Sequence, residues 1–230
     1  DKIRFLSLED PELLKDESEL KVSIEVDVDK NMLVLTDTGI GMTAQDLRNN
    51  LGTIARSGTT QFREAITSTG NLNLIGQFGV GFYSYFLVAN QVTVVTKSPN
   101  DERQYIWRSE AGSTYTIAED QPGPFLPRGT RIELVLKKDA KEFLDVAKVR
   151  GLAKKYSEFI EFPIYLYSSK EVSREVEVEP EQKEETPSDD LDIKDSAEET
   201  EKKTKTVTET VWDWEQVNNE KAIWKRSADD

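Results

Sequence analysis

The chain reads as an α+β domain: a two-layer sandwich in which helices cover one face of a mostly antiparallel, mixed sheet, followed by a disordered acidic linker. Three observations predict it. Short runs with period-two alternation follow one another, separated by Pro and Gly. Helical signatures stand apart from those runs instead of alternating with them one for one, which is the α+β pattern. All 20 aromatic residues lie outside residues 170–206, so that stretch has little with which to build a core.

In chain order, Leu20–Asp29 alternates apolar and polar residues and is a strand. Asp29-Lys30-Asn31 reads as a turn, and Met32–Thr36 as the returning strand. Thr43-Ala44-Gln45-Asp46 has capping-box spacing and opens a short helix through Asn50. Phe82–Ala89 is an apolar helix that follows a glycine loop. Gln91–Lys97, Gln104–Arg108, Thr114–Ala118 and Thr130–Leu136 are strand-like, Asp139–Ile160 reads as helices, and Pro163–Tyr167 is a last short strand. Residues 1–169 carry a net charge of only −4 and form the first domain. Lys170–Thr206 holds 14 acids and 7 bases, half of the chain's net −14, and cannot bury enough surface to offset chain entropy. Residues 207–230 regain Trp212, Trp214 and Trp224, are too short for a core, and read as the start of a following domain.

Composition removes several functions. With no histidine and no cysteine, imidazole bases, thiol nucleophiles, zinc knuckles and disulfides are excluded. A net charge of −14 argues against a nucleic-acid surface, which needs clustered cations to neutralise phosphates. There is no apolar run of membrane-spanning length. The chain begins Asp1-Lys2-Ile3-Arg4 and ends Ser227-Ala228-Asp229-Asp230, so it is expected to be a piece of a longer protein.

Four motifs carry chemistry. Asp37-Thr38-Gly39-Ile40-Gly41-Met42 ends an apolar strand in a carboxylate beside two glycines. That carboxylate can accept from a ligand amino group while the glycines admit a flat ligand, although the same residues also make an ordinary strand-to-helix turn. Gly76-Gln77-Phe78-Gly79-Val80-Gly81-Phe82 precedes the apolar helix and can turn backbone N–H groups toward a phosphate, or serve as a hinge. It is neither a Walker A loop nor a dinucleotide fingerprint, because Phe82-Tyr83-Ser84 follows. Asn50 through Ser57-Gly58-Thr59 is a polar helix end and small-residue loop in which Asn50 offers an amide and Arg56 a cation. Arg128-Gly129-Thr130 is a tight turn entering a strand.

Together and in this order, the motifs resemble the heat-shock protein 90 chaperones. That family belongs to the Bergerat-fold ATPases, shared with type II topoisomerases, mismatch-repair ATPases and histidine kinases. Lys155-Tyr156-Ser157 through Phe159-Ile160 fits the same pattern, and the resemblance runs through residues 1–169 and into the tail. Thr210-Val211-Trp212-Asp213-Trp214-Glu215, with Ile223-Trp224, is similar to the family's endoplasmic-reticulum branch.

The resemblance implies that Asp37 receives the adenine amine, with Thr130 nearby through water and Gly41 and Met42 lining the base. Asn50 would reach the sugar-phosphate part, Gly79, Val80, Gly81 and Phe82 would present N–H groups to phosphates, and Arg56, where the family carries lysine, would contact phosphate. Thr53–Gly81 would form a lid over ATP. The family's catalytic glutamate and Mg2+-binding asparagine are expected upstream of Asp1, so no catalytic residue or metal ligand is assigned in this chain and weak or no ATPase activity is expected of it. The implied function is an ATP-dependent, stress-response chaperone that binds ATP or ADP with Mg2+, folds client polypeptides, works with co-chaperones and dimerises, in the endoplasmic-reticulum lumen or, as the alternative, the cytoplasm.

Competing readings are a DNA-handling ATPase of the same superfamily, which the acidic charge disfavours, and a histidine kinase, whose phosphoacceptor histidine is not in the chain. A third is a binding module whose acidic linker buffers Ca2+ at low affinity, although no Asp-x-Asp-x-Asp-Gly loop occurs.

Overall fold

The computed structural model describes residues 2–52, 81–110, 112, 114–120, 125–158, 160–177 and 204–219. Two compact units emerge: residues 1–168 with 214–230, and residues 169–213.

The first unit opens with helix α1 (Lys2–Glu9) and a 3-10 turn (Pro11–Leu14). Asp10 caps the turn, its carboxylate accepting from the Glu12 N–H at 3.1 Å, and Pro11 supplies the preset φ of a first helical position. Strands β1 (Val22–Asp27) and β2 (Met32–Asp37) form the expected hairpin. Asn31 sits at φ 53° in the turn, a conformation that asparagine tolerates. Helix α2 (Ala44–Asn50) has the full capping box: the Thr43 hydroxyl accepts from the Asp46 N–H, and the Asp46 carboxylate accepts from the Thr43 N–H.

The helix expected over Phe82–Ala89 is interrupted. Gly81–Ser84 is a 3-10 turn, Tyr85–Val88 is a single helical turn (α3), and Ala89 already begins β3 (Ala89–Lys97). Ala89 is buried and pairs with Leu136, so sheet pairing takes the chain before a longer helix can form. The Lys137 backbone N–H donates to the Val88 carbonyl and its ammonium to the Phe86 carbonyl, which satisfies the helix end. So short a helix has little dipole to offer an anion.

Strands β4 (Gln104–Ser109), β5 (Tyr115–Glu119) and β6 (Gly129–Leu136) follow, then a 3-10 segment (Lys138–Leu144) and helix α4 (Val146–Tyr156) where helices were expected. Strand β7 runs Ile164–Glu177, well past the expected end at Tyr167 and across the expected linker boundary at 170. Strand β8 spans Thr204–Gln216. Residues 178–203, the acidic middle of the expected linker and its Ca2+ candidate, lie outside the described residues. Among the described residues the sheet has eight strands in the order β5-β4-β3-β6-β2-β1-β7-β8. Of the six pairings among β1 to β7, five are antiparallel and that of β1 with β7 is parallel, so the sheet is mixed as expected.

Two apolar clusters fill the first unit. Leu47 of α2 packs on Ala89, Val92, Val94, Trp107, Leu134 and Leu136, whereas Val149 of α4 packs with Ile24, Ile164, Leu166 and Val217. Leu33 and Leu35 of β2 touch both, which ties the clusters into one face. Full burial of each such side chain contributes about 1.5–3 kcal/mol.

Residues 214–218 are part of the first unit: the Val217 N–H donates to the Ile164 carbonyl, and Asn218 accepts from the Ile164 N–H and donates to the carbonyls of Ile160 and Phe162. Composition could not reveal this, because the partner strand lies some fifty residues earlier. The second unit consists, in the described residues, of the outer parts of β7 and β8.

Candidate functional site

The site grows out of strand register. On β2, β6 and β3, residues directly opposite one another form rows that share a face. Leu33, Leu134 and Val92 make one row, and Leu35, Ile132 and Val94 the next. The third row is Asp37, Thr130 and Thr96. Two rows of core thus end in a carboxylate and two hydroxyls, all on the helix-covered face. Alternation accounts for the placement, since Asp37 lies two residues beyond Leu35, Thr130 two before Ile132, and Thr96 two beyond Val94.

The loops at this end are clamped. Gly41 has φ +65°, and a Cβ there would stand 2.0 Å from the Lys97 carbonyl oxygen. Gly129 has φ +115°, and a Cβ there would stand 2.0 Å from the Asp37 carbonyl oxygen. Both positions therefore require glycine on conformation and on space. Arg128 is 2% exposed and donates to the carbonyls of Thr38, Gly39 and Leu13. Loss of water lowers its pKa, opposed by the carboxylates of Glu17, Asp16 and Asp37. This cation binds the 3-10 turn after α1 to the loop after β2.

Asp37 is partly buried and accepts from the Gly39 N–H at 2.8 Å. Desolvation raises its pKa above the ordinary carboxylate range, against the opposing pull of the Gly39 N–H, the Thr130 N–H and the Arg128 cation. Tyr85 on α3 is likewise raised, first by desolvation and then by the Asp37 charge. A cavity of about 160 Å3 opens beside Asp37, bounded by Ile3 of α1, Val22 of β1 and Phe162, with Thr38 and Gly39 along its edge.

Apolar groups stand on the other side of the row. The Met42 N–H donates to the Thr96 hydroxyl at 2.9 Å, and the Met42 side chain packs on the core cluster. Phe82 lies edge-on to Trp107, with ring centroids 5.3 Å apart, and Tyr115 stacks on Trp107 at 5.9 Å. Trp107 is buried, with its indole N–H unpartnered. Asn50 ends α2, three residues after the fully buried Leu47, which sets it on the flank of the core-facing side. A Cβ at Gly81 would meet nothing within 4 Å, so packing does not demand glycine there.

Of the sequence-predicted site residues, Asp37, Gly41, Met42 and Thr130 come together at the strand ends, with Asn50 and Phe82 on elements packed against the same core. Gly81 opens the 3-10 turn that carries Phe82. Arg56, Gly79 and Val80, and the expected lid apart from Gly81, lie outside the described residues. Sequence reasoning missed Thr96, whose signal was its place in the Val92-Val94-Thr96 stripe, and Tyr85, which carried no motif.

The donor set fits a flat heterocycle bearing an amino group. Acceptors lie in a row at the base, the backbone can be approached at the glycines, and apolar walls stand at Met42 and Phe82. Among the described residues no group of three acidic side chains could hold a metal, so none is assigned to Mg2+.

Comparison with known proteins finds two family matches. Residues 16–122 match the histidine kinase-, DNA gyrase B- and HSP90-like ATPase family, and residues 142–230 match the Hsp90 protein family. The chain is 49% identical to heat shock protein 90-6, mitochondrial, of Arabidopsis thaliana, over 99% of this chain and 29% of that protein. It is 50% identical to an endoplasmin homolog of Caenorhabditis elegans, over 98% of this chain and 30% of that protein. It is 48% identical to an endoplasmin homolog of Dictyostelium discoideum, over 100% of this chain and 31% of that protein. The chain thus spans about three tenths of the length of these relatives.

Proposed function

The chain belongs to the heat-shock protein 90 family, and from that premise we propose that it binds ATP and ADP at the strand-end row and serves as the nucleotide-binding part of an ATP-dependent chaperone. The observation that carries this reading is the row itself: Asp37, Thr130 and Thr96 end the apolar stripes of three adjacent strands, beside glycines that no other residue could replace.

In this reading Asp37 accepts from the adenine amino group and Thr130 borders the same edge through water. Gly41 leaves the backbone open to the ring, and Met42 covers it. Asn50 contacts the sugar-phosphate part. Gly79, Val80, Gly81 and Phe82 offer N–H groups to the phosphates, and Arg56 offers a cation. Mg2+ supplies charge neutralisation on the phosphates when bound. Hydrolysis would drive the folding of client polypeptides in a dimer assisted by co-chaperones. The endoplasmin-like tail Trp212-Asp213-Trp214-Glu215 and the endoplasmin-named relatives support the endoplasmic-reticulum lumen as the compartment, although a mitochondrial relative is equally similar.

The test is calorimetric titration of ADP into the chain and into Asp37→Asn. The substitution is expected to abolish binding, because it replaces a charged acceptor with a group whose amide hydrogens face the ligand's own. Equal affinity in the two proteins would overturn the pocket assignment.

A further inference from the structure

Thr96 lies one strand beyond the residues given a direct role, and it is fully buried. Its hydroxyl oxygen has three neighbours: the Met42 N at 2.9 Å, the Gly129 carbonyl oxygen at 3.1 Å and the Thr130 hydroxyl oxygen at 3.1 Å. A hydroxyl has one hydrogen and two lone pairs. The Met42 N–H can only donate, so it occupies one lone pair. The Gly129 carbonyl can only accept, so it takes the hydrogen. One lone pair remains, and the hydroxyl hydrogen of Thr130 fills it. The reverse order would send the Thr96 hydrogen to Thr130 and leave two oxygens in a buried contact with no hydrogen between them, a costly arrangement in a dry site.

We propose that Thr96 is a positioning residue that orients the Thr130 hydroxyl as an acceptor, so that the site distinguishes a 6-amino purine from a 6-oxo purine. This rests on the reading of the site as a nucleotide pocket and adds its specificity device. With its hydrogen held by Thr96, Thr130 shows the ligand lone pairs alone, and Asp37, directly opposite in register, shows a carboxylate. Two adjacent acceptors match an amino group and repel a carbonyl oxygen. A water between Thr130 and the ring preserves the choice. It gives one hydrogen to Thr130 and keeps the other for the unprotonated ring nitrogen of a 6-amino purine, whereas a 6-oxo purine carries a hydrogen at that nitrogen.

The test is calorimetry of ADP and IDP on the 230-residue chain and its variants. Thr96→Val is expected to narrow the preference for ADP over IDP by about fivefold, the worth of one neutral hydrogen bond. Thr96→Ser, which keeps the hydroxyl, is expected to leave the preference intact. In a Thr130→Ala background there is no hydroxyl to orient, so adding Thr96→Val should leave the ratio unmoved. A merely structural role for Thr96 would weaken both nucleotides equally at constant ratio, and that result would overturn the proposal. Should the valine variant not fold, NMR of the wild-type complex decides: a nuclear Overhauser contact from the Thr130 hydroxyl hydrogen to Thr96 supports the ordering, and contacts from it to the ligand alone overturn it. Failure of wild-type protein to bind either nucleotide would instead overturn the pocket reading, and this device with it.

Discussion

Two regions of the first unit, the Asp37 corner and the β7–β8 edge, are fastened by different means. At the Asp37 corner the fastening is close backbone approach, Gly41 against Lys97 and Gly129 against Asp37, locked by a buried guanidinium on three carbonyls. At the β7–β8 edge it rests on half-exposed polar side chains: Asn218 bridges the backbone of Ile160, Phe162 and Ile164, and Glu215 accepts from the side chains of Arg150 and Ser168. The first kind has no room to give. The second can let go and re-form, because its polar groups return to water. The corner proposed to hold the nucleotide is therefore the rigid one.

Substitution should separate the two regions, and the largest effect is expected at Gly129. Gly129→Ala puts a methyl 2.0 Å from the Asp37 carbonyl oxygen at a φ that alanine avoids, so a loss of about 3 kcal/mol or more in urea unfolding is expected. A loss below about 1 kcal/mol would show that the corner yields after all. Arg128→Met comes next, at about 2–3 kcal/mol, since three part-buried carbonyls lose their donor, and ADP affinity should fall with it.

Asn218→Ala should cost about 1–2 kcal/mol through the lost bridging bonds, yet leave ADP affinity unchanged by calorimetry. A coupled fall in affinity would erase the distinction between the regions. Thr43→Ala removes the capping hydroxyl and should cost about 1 kcal/mol, read by thermal melting. The smallest effect concerns Asp37 itself. A carboxyl whose folded pKa is raised binds its proton more tightly when folded. The stability it confers is present below the unfolded carboxylate range and is lost as pH rises through the raised pKa. Asp37→Asn should therefore flatten the pH dependence of the melting temperature over that window while removing ADP binding. An unchanged pH profile would place the titrating charge elsewhere.

The same contrast explains what the sequence made legible. The hairpin of β1 and β2, the capping box and the Asp37 motif are local, and each is written in a few consecutive residues. Thr96 and Thr130 are both ordinary strand threonines until register sets them opposite one another, and register is a property of two segments at once. The short α3 was misread for a related reason. Tyr85–Val88 has the apolar content of a longer helix, and only the pairing of Ala89 with Leu136 ends it. The place of Val217 in the first core depends on Ile164, more than fifty residues earlier, which composition cannot join.

The burial of Trp107 has an optical consequence. This indole is 2% exposed and flanked by Phe82 and Tyr115, whereas Trp212 and Trp214 are 53% and 41% exposed. In a Trp224→Phe background, an aqueous quencher should silence the light of the latter pair and leave the blue-shifted emission of the buried ring. Because that ring lies edge-on to Phe82, the residual glow becomes a built-in reporter of the segment proposed to meet the phosphates, with no dye attached.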